Sequence, residues 1–136
     1  MWRAGFGPAA VQLRQLKDIE PLDLFRALQK ASSKKPRFIS AADSYLKGLT
    51  KGIQEEGVKR KNLDQADRKR MQQQSRQAIR SLNLMWLNEM VSAEGQLREK
   101  MAFFWHGHFA SRNLNVFYQQ QLLDIIRSNA LGNFRD

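Results

Sequence analysis

The stretch DQADRKRMQQQSRQAIRSLNLMWLNEMV, residues 64–91, decides the fold class. Its apolar and small residues recur at alternating spacings of four and three, which is the period of an α-helix. They form a single seam made of Met71, Ser75, Ala78, Leu82 and Met85. Asp64 precedes the seam and is a suitable N-cap. We predict one long helix from Asp64 to about Val91, solvated in its first half and buried on more than one side in its second half.

Shorter helical patterns lie on both sides of this stretch. Pro21 suits the first turn of a helix, whose predicted apolar stripe is Leu22, Leu24, Phe25 and Leu28. Further helices are predicted over about 9–16, 41–56, 96–110 and 116–129. In the last of these we expect Gly132 as a C-terminal cap, with the inward residues Tyr118, Leu122, Ile125 and Ile126.

No stretch shows the sustained alternation of a β-strand, so the sequence predicts an all-α fold. The number of stripes and the short connections favour an irregular bundle of about five or six helices. The 136 residues fit a single helical domain, or the amino-terminal fragment of a longer helical domain.

Composition excludes several classes of protein. The chain has no cysteine, which excludes disulfides, thiolate zinc sites and cysteine nucleophiles. The longest apolar runs, such as residues 101–105, are far shorter than the roughly 20 residues that a membrane span needs. The first residues also lack the apolar stretch of a signal peptide, so we predict neither a span nor a signal within this sequence.

Positive charge is concentrated in one region of a chain whose net charge is +10. The basic stretch comprises Lys59, Arg60, Lys61, Arg68, Lys69, Arg70, Arg76 and Arg80. A positive helix face can neutralise phosphates, which makes nucleic-acid binding one hypothesis. No aromatic residue between Arg68 and Arg80 is available to stack on a base, so a solvated helix face is the simpler interpretation.

The segment AFFWHGHFA, residues 102–110, contains the one local pattern that suggests chemistry. Two residues apart on a helix means about 200° of rotation, so His106 and His108 would diverge. On a helical wheel His108 shares the apolar face of Leu97, Met101, Phe104 and Trp105.

We therefore predict that His108 lies in the core, and that His106 lies on the opposite, polar face beside Glu99. Gly107 leaves an alternative open. A helix break there would let His106 and His108, with Glu99, form a metal or catalytic site. With the helix intact, the sequence predicts no cofactor.

Three segments together carry a family resemblance: WRAGFGP (2–8), QLREKMAFFWHGHFA (96–110) and ALGNFRD (130–136). They resemble the bacterial family called domain of unknown function 1800. The resemblance implies that members are considerably longer and that this chain corresponds to their amino-terminal part. It also implies that many members are exported, and it gives no activity to carry over.

These observations favour an uncharacterised, non-catalytic helical module of a longer bacterial protein, with a packing or partner-binding role. The expected partner is the missing carboxyl-terminal part of its own domain or another protein. We expect Phe103, Trp105 and Trp86 to supply buried contacts. The enzyme site at the histidines and the nucleic-acid surface remain the alternatives.

Overall fold

The structure, a computed structural model, describes residues 4–8, 16–41, 64–109 and 114–133. Every regular element within these ranges is an α-helix, which confirms the all-helical prediction. The helices of the described part are α1 (Pro21–Ser32), α2 (Gln65–Ser92), α3 (Gln96–His108) and α4 (Val116–Asn129). None of them is both long and apolar enough to cross a bilayer. The two further predicted helices, 9–16 and 41–56, lie outside the described residues except for Leu16 and Ala41, neither of which is helical.

The helix ends follow the local signals in the sequence. Pro21 occupies the first turn of α1, where a missing N–H costs nothing. The carboxylate of Asp64 accepts a hydrogen bond from the N–H of Gln65 at 2.6 Å, at the start of α2. Gly132 closes the turn after α4 by donating to the Asn129 carbonyl at 3.0 Å. It does so without a positive φ, which among the described residues only Gly7 adopts.

The chain divides into two compact units. The first unit contains the described residues of 1–37, 87–110 and 125–136, and the second those of 38–86 and 111–124. In the first unit α1 packs against α3. Helix α2 passes from the second unit to the first after Trp86, and α4 does so after Asp124.

The second unit has an apolar core. Met71 and Ala78 of α2 cluster with Val116 of α4, and Ile79 and Phe117 pack against them. Further along α2 the buried seam continues through Leu82 and Trp86. The sequence placed Met85 on the seam instead, and this was wrong, because Met85 is 48% exposed. Both positions lie about one turn beyond Leu82, and the larger indole is the side chain that is buried.

The second half of α2 is buried along one side, and not on more than one side as predicted. Leu84, Leu87 and Val91 are exposed on the side opposite the seam. The stripes of α1 and α4 are also displaced from those predicted. In α1 Leu28 is buried and Leu24 partly so, but Leu22 and Phe25 are exposed.

In α4 the inward residues include polar ones. Buried positions are Val116, Gln120, Leu123, Ile126 and Arg127. Ile126 is therefore confirmed and Leu122 is half-buried, whereas Tyr118 and Ile125 were predicted inward and are exposed. The prediction failed because it ranked residues by hydrophobicity alone. Gln120 and Arg127 face inward because each has a buried or partly buried hydrogen-bonding partner.

Candidate functional site

Helix α3 buries its charged face and leaves its apolar face partly open. Its buried residues are Gln96, Arg98, Glu99 and Ala102. On the face predicted to enter the core, Leu97, Met101 and Trp105 are half-buried, and Phe104 and His108 are exposed. That prediction was therefore wrong. Ala102 is completely buried, and its small side chain lets neighbouring groups approach the helix closely.

The carboxylate of Glu99 is the centre of a buried ionic network. Glu99 is 0% exposed and Arg127 of α4 is 1% exposed. The guanidinium of Arg127 donates two parallel hydrogen bonds to the carboxylate, from Nε to Oε2 at 2.9 Å and from Nη2 to Oε1 at 2.9 Å. Nε of Arg98 donates to Oε1 at 3.2 Å. Charge-assisted, bidentate pairs of this kind are the strongest hydrogen bonds between side chains.

Arg98 joins this network to the end of α1. Its Nη1 donates to the carbonyl oxygens of Ser32, at 3.2 Å, and of Lys34. Its backbone N–H donates to Oγ of Ser32 at 3.2 Å. Gly95, the N-cap of α3, has no side chain to bond the first-turn N–H groups. The hydroxyl of Ser32 does so from the neighbouring helix.

Arg127 connects the network to the segment after α1 and to α2. Nη1 of Arg127 donates to the Arg37 carbonyl at 2.7 Å. Nη2 of Arg127 lies 3.5 Å from Oε1 of Glu89, a side chain that is 19% exposed. Arg37 also approaches Glu89, at 3.7 Å. The two buried guanidiniums are therefore opposed by two carboxylates, which is the condition for burying such charges.

The amino-terminal segment packs on α3. The ring of Phe6 lies edge-on to Phe103, with 6.3 Å between centroids. Nζ of Lys100 sits 4.8 Å from the centroid of the Phe6 ring. A Cβ at Gly5 would stand 2.6 Å from Oε1 of Gln96, so a larger residue there would displace the Gln96 amide. The described parts of all three resembling segments (4–8, 96–109 and 130–133) thus belong to the first unit.

An open cleft of about 920 Å³ lies within the first unit. One wall is apolar and consists of Phe25, Leu97, Met101, Trp105 and Leu131. The lining also includes the cations Lys34, Lys35, Arg98 and Arg127, which form its basic end where the residues after α1 meet the start of α3. No Asp or Glu occurs among the described residues that line it. Three residues predicted for the core of α3 therefore line a cleft.

The two histidines are separated, as expected for a continuous helix. His106 is half-buried on the same side of α3 as Glu99, and His108 is exposed. The ring of His108 packs edge-on against Trp105 and Phe109, at centroid distances of 5.9 and 5.0 Å. The prediction of a core position for His108 was therefore wrong. Helix α3 runs through Gly107 without a break, and a Cβ there would meet no atom within 4 Å.

The side chains that could bind a metal do not converge in the described part of the chain, where no group of three His, Cys, Asp or Glu residues is placed to hold an ion. Both carboxylate oxygens of Glu99 already accept hydrogen bonds from guanidinium groups. Glu99 is therefore a partner of Arg98 and Arg127. His106 lies on the same side of α3 as Glu99, but the described residues supply no third candidate ligand there.

The described members of the basic stretch all lie on α2 and are exposed. They are Arg68, Lys69, Arg70, Arg76 and Arg80. Lys69, Arg76 and Arg80 follow one face of the helix, because spacings of seven and four return to the same side. Lys59, Arg60 and Lys61 lie outside the described residues.

Sequence reasoning missed Arg98 and Arg127, and it considered Glu99 only as a metal ligand. The available signal was the position of these charged residues at the ends of apolar runs. Arg98 and Glu99 precede MAFFW, and Arg127 follows LLDII. On such helices a charged residue with a partner of opposite sign can face inward.

Comparison with known proteins agrees with the resemblance seen in the three segments. No match to the chain is found among curated proteins or among solved structures. A family model does match, over residues 1–136, and its description is Protein of unknown function (DUF1800). The match covers the whole of the sequence, including the stretches between the three segments. The chain therefore belongs to the DUF1800 family of proteins of unknown function.

Proposed function

We propose that this chain is a non-catalytic helical module, a bundle of five or six helices within a larger helical domain, which packs against the rest of its own protein. The observation that carries the proposal is an outward apolar ridge on the first-unit part of α2. Leu87 and Val91, one helical turn apart, are 51% and 69% exposed, while Met90 between them is 3% exposed. Residues four apart form the ridges that fit the grooves of another helix.

Helix α3 supports the same conclusion. It directs Arg98 and Glu99 inward and leaves Phe103 and Phe104 more than half exposed. Scattered exposed apolar residues are ordinary, but a contiguous apolar surface marks an interaction site. Because the family resemblance implies longer members, the partner that we propose for these surfaces is the remainder of the same domain.

The buried network also supports a structural role over a catalytic one. A catalytic carboxylate must be able to reach a substrate proton or a reacting atom. Glu99 is fully buried and bonded through both oxygens to Arg98 and Arg127. Within the first unit, the network holds α3 to α1 through Arg98 and to α4 through the pair of Glu99 and Arg127.

A single-cysteine experiment tests the proposal, because the chain has no cysteine of its own. Val91→Cys is made in this chain and in the product of its complete reading frame, and the rate of labelling with a maleimide is measured in both. We expect fast labelling in this chain alone and slow labelling in the longer product. Gln73→Cys, at an exposed polar position of α2 in the second unit, reports any general change in reactivity.

If Val91→Cys reacts equally fast in both proteins, the ridge is not a packing surface and the proposal fails. Slow labelling in this chain alone would contradict the exposure on which the proposal rests.

Nucleic-acid binding is the second candidate, because five basic side chains of α2 are exposed. Its test is a titration with generic RNA and DNA at several salt concentrations. Binding by phosphate neutralisation requires log K to fall linearly with log salt, with a slope of about −0.9 for each phosphate contacted on duplex DNA. An affinity that hardly changes with salt, or no affinity, excludes this function.

A further inference from the structure

We propose that the cleft of the first unit binds a small amphipathic monocarboxylate, with an alkyl or aryl group against the apolar wall and the carboxylate at the basic end. This goes beyond the packing role, because the cleft lining does not include Leu87 or Val91 of the α2 ridge. The two proposals can therefore fail independently.

The apolar wall is the first step of the argument. Leu97, Met101 and Trp105 recur at intervals of four along α3, which is the spacing of a core-facing stripe. They are only half-buried, because the space in front of them is the cleft. Phe25 of α1 and Leu131 extend the same wall. An apolar group placed there removes from water the surface that this stripe leaves open.

The positive charge at the basic end of the cleft indicates that the polar group of the ligand is an anion. Four cationic side chains line the cleft, and no described lining residue is acidic. Arg98 is 7% exposed, and its Nε and Nη1 are bonded to Glu99, Ser32 and Lys34. Its Nη2 makes no hydrogen bond to a described residue, so this nitrogen is the donor that we assign to the ligand carboxylate.

The balance of charges favours a single negative charge on the ligand. Lys34 is paired with Glu94 at 3.5 Å, and Arg127 is held by Glu99 and Glu89. Lys35 is exposed and takes part in none of the ion pairs of the described residues. Arg98 is paired with Glu99 at 3.2 Å. Lys35 is therefore the one cation of the described lining outside an ion pair, and a single carboxylate balances its charge, with Nη2 of Arg98 as a further hydrogen-bond donor.

The size of the cleft fits a small ligand. Sites for small molecules are commonly about 300–1,000 Å³, largely apolar, with a few fixed polar groups. The cleft has a volume of about 920 Å³ and this division between an apolar wall and a basic end.

Octanoate titrated into the protein, followed by NMR of the Trp105 indole N–H, tests the assignment. Trp105→Phe identifies that signal among the three tryptophans. We expect saturable shifts at Trp105. 1-Octanol, which has the same chain without the charge, should bind about 10- to 150-fold more weakly, because a hydrogen bond to a charged group contributes roughly 1.5–3 kcal/mol. Octylamine should not bind.

Two exposed lysines provide a matched pair of variants. Lys35→Gln should weaken octanoate binding about two- to fivefold, the range for a solvent-exposed ion pair. Lys69→Gln removes the same charge from the exposed face of α2 in the second unit and should leave binding unchanged. No saturable shift at Trp105, equal affinity for octanol and octanoate, or equal effects of the two variants would overturn the proposal.

Discussion

The two units of this chain are stabilised by different kinds of interior. The second unit buries Met71, Ala78, Leu82, Trp86 and Val116, and the buried polar residues of its described part, Ser75, Asn115 and Gln120, are uncharged. The first unit buries Arg98, Glu99 and Arg127 beside the apolar side chains of Leu28, Met90, Ala102, Ile126 and Ala130. An apolar core tolerates the loss of one group in proportion to the volume removed, whereas a buried ionic network fails when one partner is lost.

Both units contain the same kind of contact between helices, in which a serine hydroxyl accepts an N–H from the first turn of another helix. Oγ of Ser32 accepts the first-turn N–H of Arg98 in α3. Oγ of Ser75 accepts the N–H of Val116 at the start of α4, at 3.1 Å, and donates to the Leu114 carbonyl at 2.7 Å. In each unit, a serine on one helix thus satisfies an N–H that the start of another helix leaves without an intrahelical partner.

The largest effect should come from Glu99→Gln. Removing the charge of Glu99 leaves two buried guanidiniums without their shared partner, which we expect to cost about 3–5 kcal/mol of unfolding free energy. Urea unfolding measures the change. Glu94→Gln is the matched control, because its ion pair with Lys34 is exposed and should contribute less than about 1 kcal/mol. Equal losses of unfolding free energy from the two variants would show that the buried network stabilises the first unit no more than an exposed ion pair does.

Leu82→Ala should produce the next largest effect, in the second unit. Leu82 is 3% exposed, and truncating a buried leucine costs about 2–5 kcal/mol depending on how far the cavity collapses. Leu84→Ala is the same change two residues away at a position that is 67% exposed, and it should alter stability by less than about 0.5 kcal/mol. Comparable losses in urea unfolding would show that the outer face of α2 is covered.

The serine contacts give a smaller effect. Ser75→Ala removes an acceptor from a buried N–H and a donor from the Leu114 carbonyl, so we expect a loss of about 1–3 kcal/mol. Ser32→Ala removes the acceptor of one N–H and should cost less than Ser75→Ala. Urea unfolding of both variants measures the two losses of unfolding free energy. A larger loss from Ser32→Ala than from Ser75→Ala would contradict this interpretation of the two serines.

The smallest effect should be that of His108→Ala. Because His108 is exposed and its ring packs edge-on against Trp105 and Phe109, we expect a change within about 0.5 kcal/mol. Metal analysis of the purified protein accompanies this variant. Bound metal in stoichiometric amount that is lost on His108→Ala would support the enzyme hypothesis at the histidines.

The sequence predicted the helices better than it predicted their faces. The period of residues 64–91, the proline at 21 and the apolar run at 116–129 are local signals, and the observed helices begin and end close to the predicted bounds. The inward face depends on partners distant in sequence. Glu99 faces inward because Arg127, 28 residues later, meets it there, and no local pattern contains that pairing.

The cleft could not be predicted for a related reason. Leu97, Met101 and Trp105 have the spacing of a core stripe, and the spacing alone does not reveal whether another element covers it. The family resemblance in three separate segments indicated this part of the molecule more directly, because the described residues of all three belong to the first unit.

A double-mutant cycle between Glu99 and Arg127 tests the central claim most directly. Unfolding free energies are measured for the unchanged chain, Glu99→Gln, Arg127→Met and the double variant. If the first unit depends on this pair, the double variant will be more stable than the sum of the single losses implies, with a coupling of about 2 kcal/mol or more. Additive losses, with a coupling near zero, would show that the two side chains do not act together and would contradict the account.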